Sequence, residues 1–138
     1  MDRKKVLVVD DDKDFVHIIS VYLKAYGYDA VVASDAVEAV TVAKTAYPDI
    51  ILLDIGLPRG DGLTVLNRLT SSDRTTLIPV IVVTGKDPSL KKSCLAAGAM
   101  EFFLKPFNPD VLLAYIDGVF HRTAGSDKKS TATAAAKK

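Results

Sequence analysis

The run Val6-Leu7-Val8-Val9-Asp10-Asp11-Asp12 sets the frame for the whole chain. Four apolar residues in a row, without alternation, suit a strand buried on both faces. Acids crowd its carboxyl end. The pattern then returns. Ile50-Ile51-Leu52-Leu53 runs into Asp54, and Pro79-Val80-Ile81-Val82-Val83 runs into Thr84. Proline at the first position of that strand is tolerated. Tyr28–Ala33 reads as a further strand, and Glu101-Phe102-Phe103-Leu104 as a shorter fifth one that leads to Lys105-Pro106.

Helical spacing fills the gaps. Phe15, Ile18, Ile19, Tyr22, Leu23 and Tyr26 mark one face of a first helix, which Gly27 is placed to cap. Asp35 and Glu38 form a possible capping box. The helix they open has Ala36, Ala39, Val40, Ala43 and Tyr47 as its expected inner face, and Pro48 stops it. The segment from Gly56 to Gly62 is a loop by composition, followed by a helix with Leu63, Leu66 and Leu69. A short helix is expected from about Pro88 to Ala97, with Gly98 as its cap. Asn108 and Pro109 make an N-cap and first-turn pair for a last helix through Leu112, Tyr115, Ile116, Val119 and Phe120. Five buried-type strands, each followed by a helix, predict an α/β fold: an open, doubly wound parallel sheet covered on both faces.

Composition narrows the class. Of 138 residues, 49% are hydrophobic and 25% charged, the balance of a globular domain. The net charge of +1 hides a split, because residues 122–138 hold five basic groups and one acid. The body at 1–121 is therefore mildly acidic and is read as one domain. The Ala/Ser/Thr/Lys-rich segment 122–138 is read as a disordered basic tail or linker. No apolar run approaches a membrane span, and Val6–Val9 is too short for a secretory signal. The single cysteine, Cys94, excludes a disulfide framework, lies at core spacing with Leu90, and fits a cytoplasmic setting. His17 and His121 have no partner at ligand spacing and read as surface residues. The body is not basic enough to bind nucleic acid by itself.

In an open parallel sheet, ligands bind beyond the carboxyl ends of the strands. Here those ends carry Asp10-Asp11-Asp12, Asp54, Thr84 and Lys105. Gathered carboxylates repel one another unless a hard cation sits among them, and oxygen-only ligands favour magnesium. A lysine opposite would neutralise phosphoryl oxygens, and a hydroxyl would hydrogen-bond one of them. A carboxylate can itself be the nucleophile. Asp54 stands alone on its strand end and is the natural choice, whereas Asp10 and Asp11 are paired for the metal. Asp12 reads as the N-cap of the first helix.

With these residues in place, the sequence resembles the receiver domain of two-component response regulators. The resemblance rests on Val6–Asp11, Leu52-Leu53-Asp54 with Leu57-Pro58 and Asp61-Gly62, Val82-Val83-Thr84-Gly85, and Ala97-Gly98-Ala99 through Phe102 to Lys105-Pro106-Phe107. It covers about residues 4 to 121. It implies the CheY-like, flavodoxin-like fold: a five-stranded sheet in the order 2-1-3-4-5 with five helices. It further implies that Asp54 is the phosphoacceptor and that Asp10, Asp11, Asp54 and the backbone carbonyl of Gly56 bind Mg2+. Thr84 would contact the phosphoryl group and Lys105 would pair with it, with a cis Lys105–Pro106 bond. Phe102 would be the aromatic switch that resets a readout face made by the fourth helix, fifth strand and fifth helix. The implied partners are a histidine kinase or histidine phosphotransfer protein, and a downstream effector or an output domain beyond this chain. Such a module is not an enzyme acting on a separate metabolite. Gly56, Gly60 and Gly85 are smaller than the residues usual there, so Gly56 and Lys86 are expected to set the lifetime of the phosphorylated state.

Other readings compete. Asp10 and Asp12 form the acid-x-acid pair of a haloacid-dehalogenase-type phosphatase with Asp10 as nucleophile, but Asp14 stands where that class has a hydroxyl residue. A flavodoxin-like cofactor binder needs a phosphate-cradling loop after the first strand, where three aspartates would repel phosphate. A receiver used only for phosphorylation-independent protein contact would not need the acid, threonine and lysine set.

Overall fold

The computed structural model describes residues 3–57, 62–85 and 87–125. The expected readings of Pro58, Gly60, Asp61, Lys86 and the tail from 126 onward lie outside the described residues. Five strands are present: β1 (Lys5–Val9), β2 (Asp29–Ala33), β3 (Ile50–Leu53), β4 (Val80–Thr84) and β5 (Glu101–Leu104). They form one parallel sheet in the order β2-β1-β3-β4-β5. The helices are α1 (Lys13–Ala25), α2 (Ala36–Thr45), α3 (Gly62–Ser71), α4 (Lys91–Ala96) and α5 (Pro109–Gly125), with a 3-10 turn at Pro88–Leu90 before α4. Among the described residues no helix is long and apolar enough to cross a membrane.

β3 and β4 are buried along their whole length, and β1 from Val6 onward, because both faces are covered. Leu7, Val9, Ile51, Leu53, Val80 and Val82 point to one face. They share a core with Ala39 and Ala43 of α2, Val65, Leu66 and Leu69 of α3, and Cys94 of α4. Val6, Val8, Ile50, Leu52, Ile81 and Val83 turn to the other face and are equally buried. On α1, Ile19 and Leu23 are fully buried, one turn apart, and α1 lies against β2. The edge strands β2 and β5 are only partly covered.

The chain divides into two compact units after Phe107. The sheet and α1–α4 belong to the first. The described part of the second is α5, whose first turn is capped by Asn108 Oδ1, accepting from the Asp110 N–H at 2.9 Å. Its Leu112, Leu113, Ile116 and Val119 are buried. The helix continues through residues 122–125, beyond the position where the sequence reading ends the body.

Local signals are met with small changes. Gly27 and Gly98 take positive φ, 91° and 110°, as helix-ending residues should. Asp35 Oδ1 accepts from the Glu38 N–H at 2.8 Å, but Glu38 reaches back to the Ser34 N–H, one residue further out than a capping box requires. Tyr47 is not on the inner face of α2. The helix ends at Thr45, and Tyr47 is 77% exposed with φ +53°. A residue before proline is pushed out of the helical region, and Pro48 follows.

Candidate functional site

Register sets the site. Val9 of β1 pairs with Leu53 of β3, so Asp10 and Asp54 leave their strands at the same height. Backbone bonds hold both in line: Asp10 N–H to Ala33 O at 3.1 Å and Asp54 N–H to Val9 O at 3.0 Å. Thr84 ends β4, and the Lys105 N–H donates to its carbonyl at 2.9 Å. Strand order reverses between β1 and β3, which is where a crevice opens in such sheets.

The side chains converge there. Carboxylate oxygens of Asp10, Asp11 and Asp54 lie within 4.8 Å of one another. Thr84 Oγ1 donates to Asp54 Oδ1 at 2.8 Å, and the Gly56 N–H donates to the same oxygen at 2.9 Å. Lys105 Nζ pairs with Asp10 Oδ2 at 2.7 Å and stands 3.9 Å from Asp54 Oδ2. The second Asp10 oxygen accepts from the Asp12 N–H at 2.9 Å. Asp12 caps α1 as expected, accepting from the N–H groups of Asp14 and Phe15. The Lys105–Pro106 bond is cis. From Asp10 and Asp11 a groove of 380 Å³ opens past Lys13 and Val16 toward Ser34.

Charge is handled unevenly across the site. Burial pushes the Asp10 carboxyl up from its ordinary value, and the nearby Asp54 charge adds to that. The hydrogen bonds from Lys105 and the Asp12 N–H pull the other way. Asp11 is exposed, and Asp54 is 9% exposed.

The structure thus brings Asp10, Asp11, Asp54, Gly56, Thr84 and Lys105 to one place. Phe102 is elsewhere: on β5, in register with Val82, half-buried against the core shared by α2, α3 and α4. Cys94 is buried within that core, and His17 and His121 are exposed. One neighbour of the site was not legible as such. Lys105 Nζ sits over the Phe15 ring, 4.1 Å from its centroid. The spacing of α1 marks Phe15 only as an inner-face residue. Its place at the start of that face, just past Asp12, was the available signal.

The response regulator receiver domain family model matches residues 6–117 of this chain. The chain belongs to that family. This receiver domain is 36% identical over 122 residues to the alkaline phosphatase synthesis transcriptional regulatory protein PhoP of Bacillus subtilis, covering 88% of this chain and 50% of the relative. It is 34% identical over 128 residues to the phosphate regulon transcriptional regulatory protein PhoB of Pseudomonas aeruginosa, with 92% and 56% covered. It spans about half the length of these curated relatives. Among solved structures, it resembles the chemotaxis response regulator CheY4 of Vibrio cholerae, with a TM-score of 0.79, 30% identity, and 86% and 99% of the chains covered. It also resembles a CheY-like receiver domain protein of Methanospirillum hungatei, with a TM-score of 0.83, 27% identity, and 91% and 100% covered. The CheY-like fold and the role of the family as signalling modules of two-component systems follow from this membership.

Proposed function

We propose that this receiver domain accepts a phosphoryl group on Asp54 from a phosphohistidine donor, a histidine kinase or histidine phosphotransfer protein. The observation that carries the reading is the arrangement around Asp54. Oδ1 is occupied by two donors, Thr84 Oγ1 and the Gly56 N–H, which leaves Oδ2 as the attacking oxygen, with Lys105 Nζ 3.9 Å away. Oδ2 attacks phosphorus to form an O–P bond. The P–N bond of the donor breaks, and its electron pair returns to the imidazole nitrogen, which takes up a proton. Lys105 then faces the phosphoryl oxygens, and Thr84 is placed to transfer its hydrogen bond from Asp54 to one of them. That exchange at the end of β4 would be the local event that biases Phe102, two residues along β5 from the neighbour of Thr84.

The donor set fits magnesium. Three carboxylates converge with no nitrogen or sulfur ligand among them, which suits a hard divalent cation. Asp10, Asp11, Asp54 and the Gly56 carbonyl would hold it, and when bound it would neutralise phosphoryl charge. The phosphatase alternative is less well supported, because both Asp10 oxygens are engaged, by Lys105 and by the Asp12 N–H. A cytoplasmic setting, an effector or C-terminal output domain as partner, and the division into a receiver body and a basic tail complete this reading.

The test is incubation with magnesium and acetyl phosphate, followed by intact mass and acid/base lability. One labile phosphoryl adduct that disappears in Asp54→Asn is expected. An adduct on Asp10, or steady phosphate release from small esters, overturns the assignment.

A further inference from the structure

We propose that Phe15 is a positioning residue for Lys105, its ring face holding the ammonium where it can serve Asp10 and Asp54 in turn. This rests on the reading of Lys105 as the cation that meets the transferred phosphoryl group.

Lysine is a compact charge on a flexible stem, so its location must be imposed from outside. Two of its neighbours are the carboxylates of Asp10, at 2.7 Å, and Asp54, at 3.9 Å. The third is the Phe15 ring, 4.1 Å from Nζ to the centroid. That is well inside the range over which an aromatic face attracts a cation. The ring is itself braced. Phe107 meets it edge-on, at 6.1 Å and 75°, and Phe103 packs on Phe107 at 5.8 Å and 58°. Phe103 and Phe107 flank Lys105 in sequence, so the segment that supplies the cation also fixes the ring beneath it.

The chemistry of the support matters. A carboxylate or hydroxyl in place of Phe15 would accept a directed hydrogen bond and tie the ammonium down. A π face attracts it without a preferred donor direction, so Nζ can pivot from Asp10 toward Asp54 while staying over the ring. Packing alone accounts for less of the arrangement. Ile19 and Leu23, on the same face of α1, are fully buried, whereas Phe15 is only half-buried and turns its ring to the lysine. Lys105 already pairs with Asp10; without the ring nothing would hold it as it moves toward Asp54, so it should stay on Asp10 and leave incoming phosphoryl charge unmet.

The experiment has two arms. In the first, acetyl phosphate with magnesium drives phosphorylation of wild type, Phe15→Leu and Phe15→Tyr, followed by intact mass. Phe15→Leu is expected to be slower by about 3- to 30-fold, the range that a partly desolvated cation–π contact supports. Phe15→Tyr, which keeps the ring face, should recover the wild-type rate. In the second arm, NMR of lysine-labelled protein locates the Lys105 ε-methylene protons, assigned by their loss in Lys105→Arg. Ring current should place them upfield of the other lysines in wild type and in Phe15→Tyr, and at the ordinary position in Phe15→Leu. An ordinary wild-type shift overturns the proposal, even if Phe15→Leu fails to fold. So does an unchanged rate in folded Phe15→Leu, or equal slowing in the Leu and Tyr variants. Failure of the underlying reading looks different: wild type takes up no phosphoryl group on Asp54, or Lys105→Ala reacts as fast as wild type.

Discussion

The hydroxyl of Thr84 donates a 2.8 Å hydrogen bond to Asp54 Oδ1, tying the carboxyl end of β4 to that of β3. Thr84 is fully buried, so this bond is made away from competing water. Thr84→Val exchanges the hydroxyl for a methyl group of similar shape and leaves Oδ1 with the Gly56 N–H. A charge-assisted bond lost in this way should lower stability by about 1.5–3 kcal/mol. Phosphoryl uptake from acetyl phosphate should slow as well. Urea midpoints and adduct mass measure the two effects. A variant as stable and as fast as wild type would show that the bond orients nothing.

Asp10 should make the metal-free protein less stable as pH rises. Burial raises its folded carboxyl above an ordinary 3.8. Between that value and the raised one, the folded state holds a proton that the unfolded chain has released. Stability therefore falls with rising pH through this window, and the full penalty is present once pH passes the raised value. Asp10→Asn should flatten this slope and remove stabilisation by added magnesium. Thermal melts over a pH series upward from 3.8, with and without magnesium, read both effects. An identical slope in wild type and variant counts against Asp10 as the source.

Much of this was legible because burial on both faces leaves unbroken apolar runs, and strand ends are then easy to find. Asp10, Asp54, Thr84 and Lys105 could be placed at one crevice from their positions after such runs. What periodicity cannot supply is which tertiary neighbour a residue meets. Phe15 looks like any inner-face aromatic until the chain brings Lys105 over it. Tyr47 continues the spacing of α2, but Pro48 ends the helix and turns the ring outward. Glu38 is a capping residue by position, yet its bond goes to Ser34, because helical spacing fixes the element and not the last few ångströms.

Two glycines beside the site should differ sharply in their response to alanine. A Cβ on Gly62 would overlap the backbone of Ile55, at Cα and the carbonyl, where nothing flexible can give. The Gly62 N–H also donates to the Ile55 carbonyl at 3.1 Å, so the approach is locked. Gly62→Ala should cost about 3 kcal/mol or more, as overpacking against fixed backbone does. Among the described residues, a Cβ on Gly85 meets nothing within 4 Å. Gly85→Ala should change stability by roughly 0.5 kcal/mol or less. Denaturant titration of the pair checks the contrast, and similar midpoints for both would contradict the close approach at Ile55.

Cys94 should report on opening of the core. It is fully buried, and burial pushes its thiol above the ordinary 9.0. The thiolate is the reactive form, so a folded molecule should resist a disulfide reagent and react only through opening. Above the unfolded pKa, the unfolded chain loses a proton that the folded thiol keeps. Stability should therefore decline as pH rises past that point, and Cys94→Ala should remove this alkaline component although it leaves a small cavity. Labelling rates with a colorimetric thiol reagent, followed through a urea series, should track the global unfolding transition. Rapid labelling under native conditions would place Cys94 in a region that opens well before the sheet does.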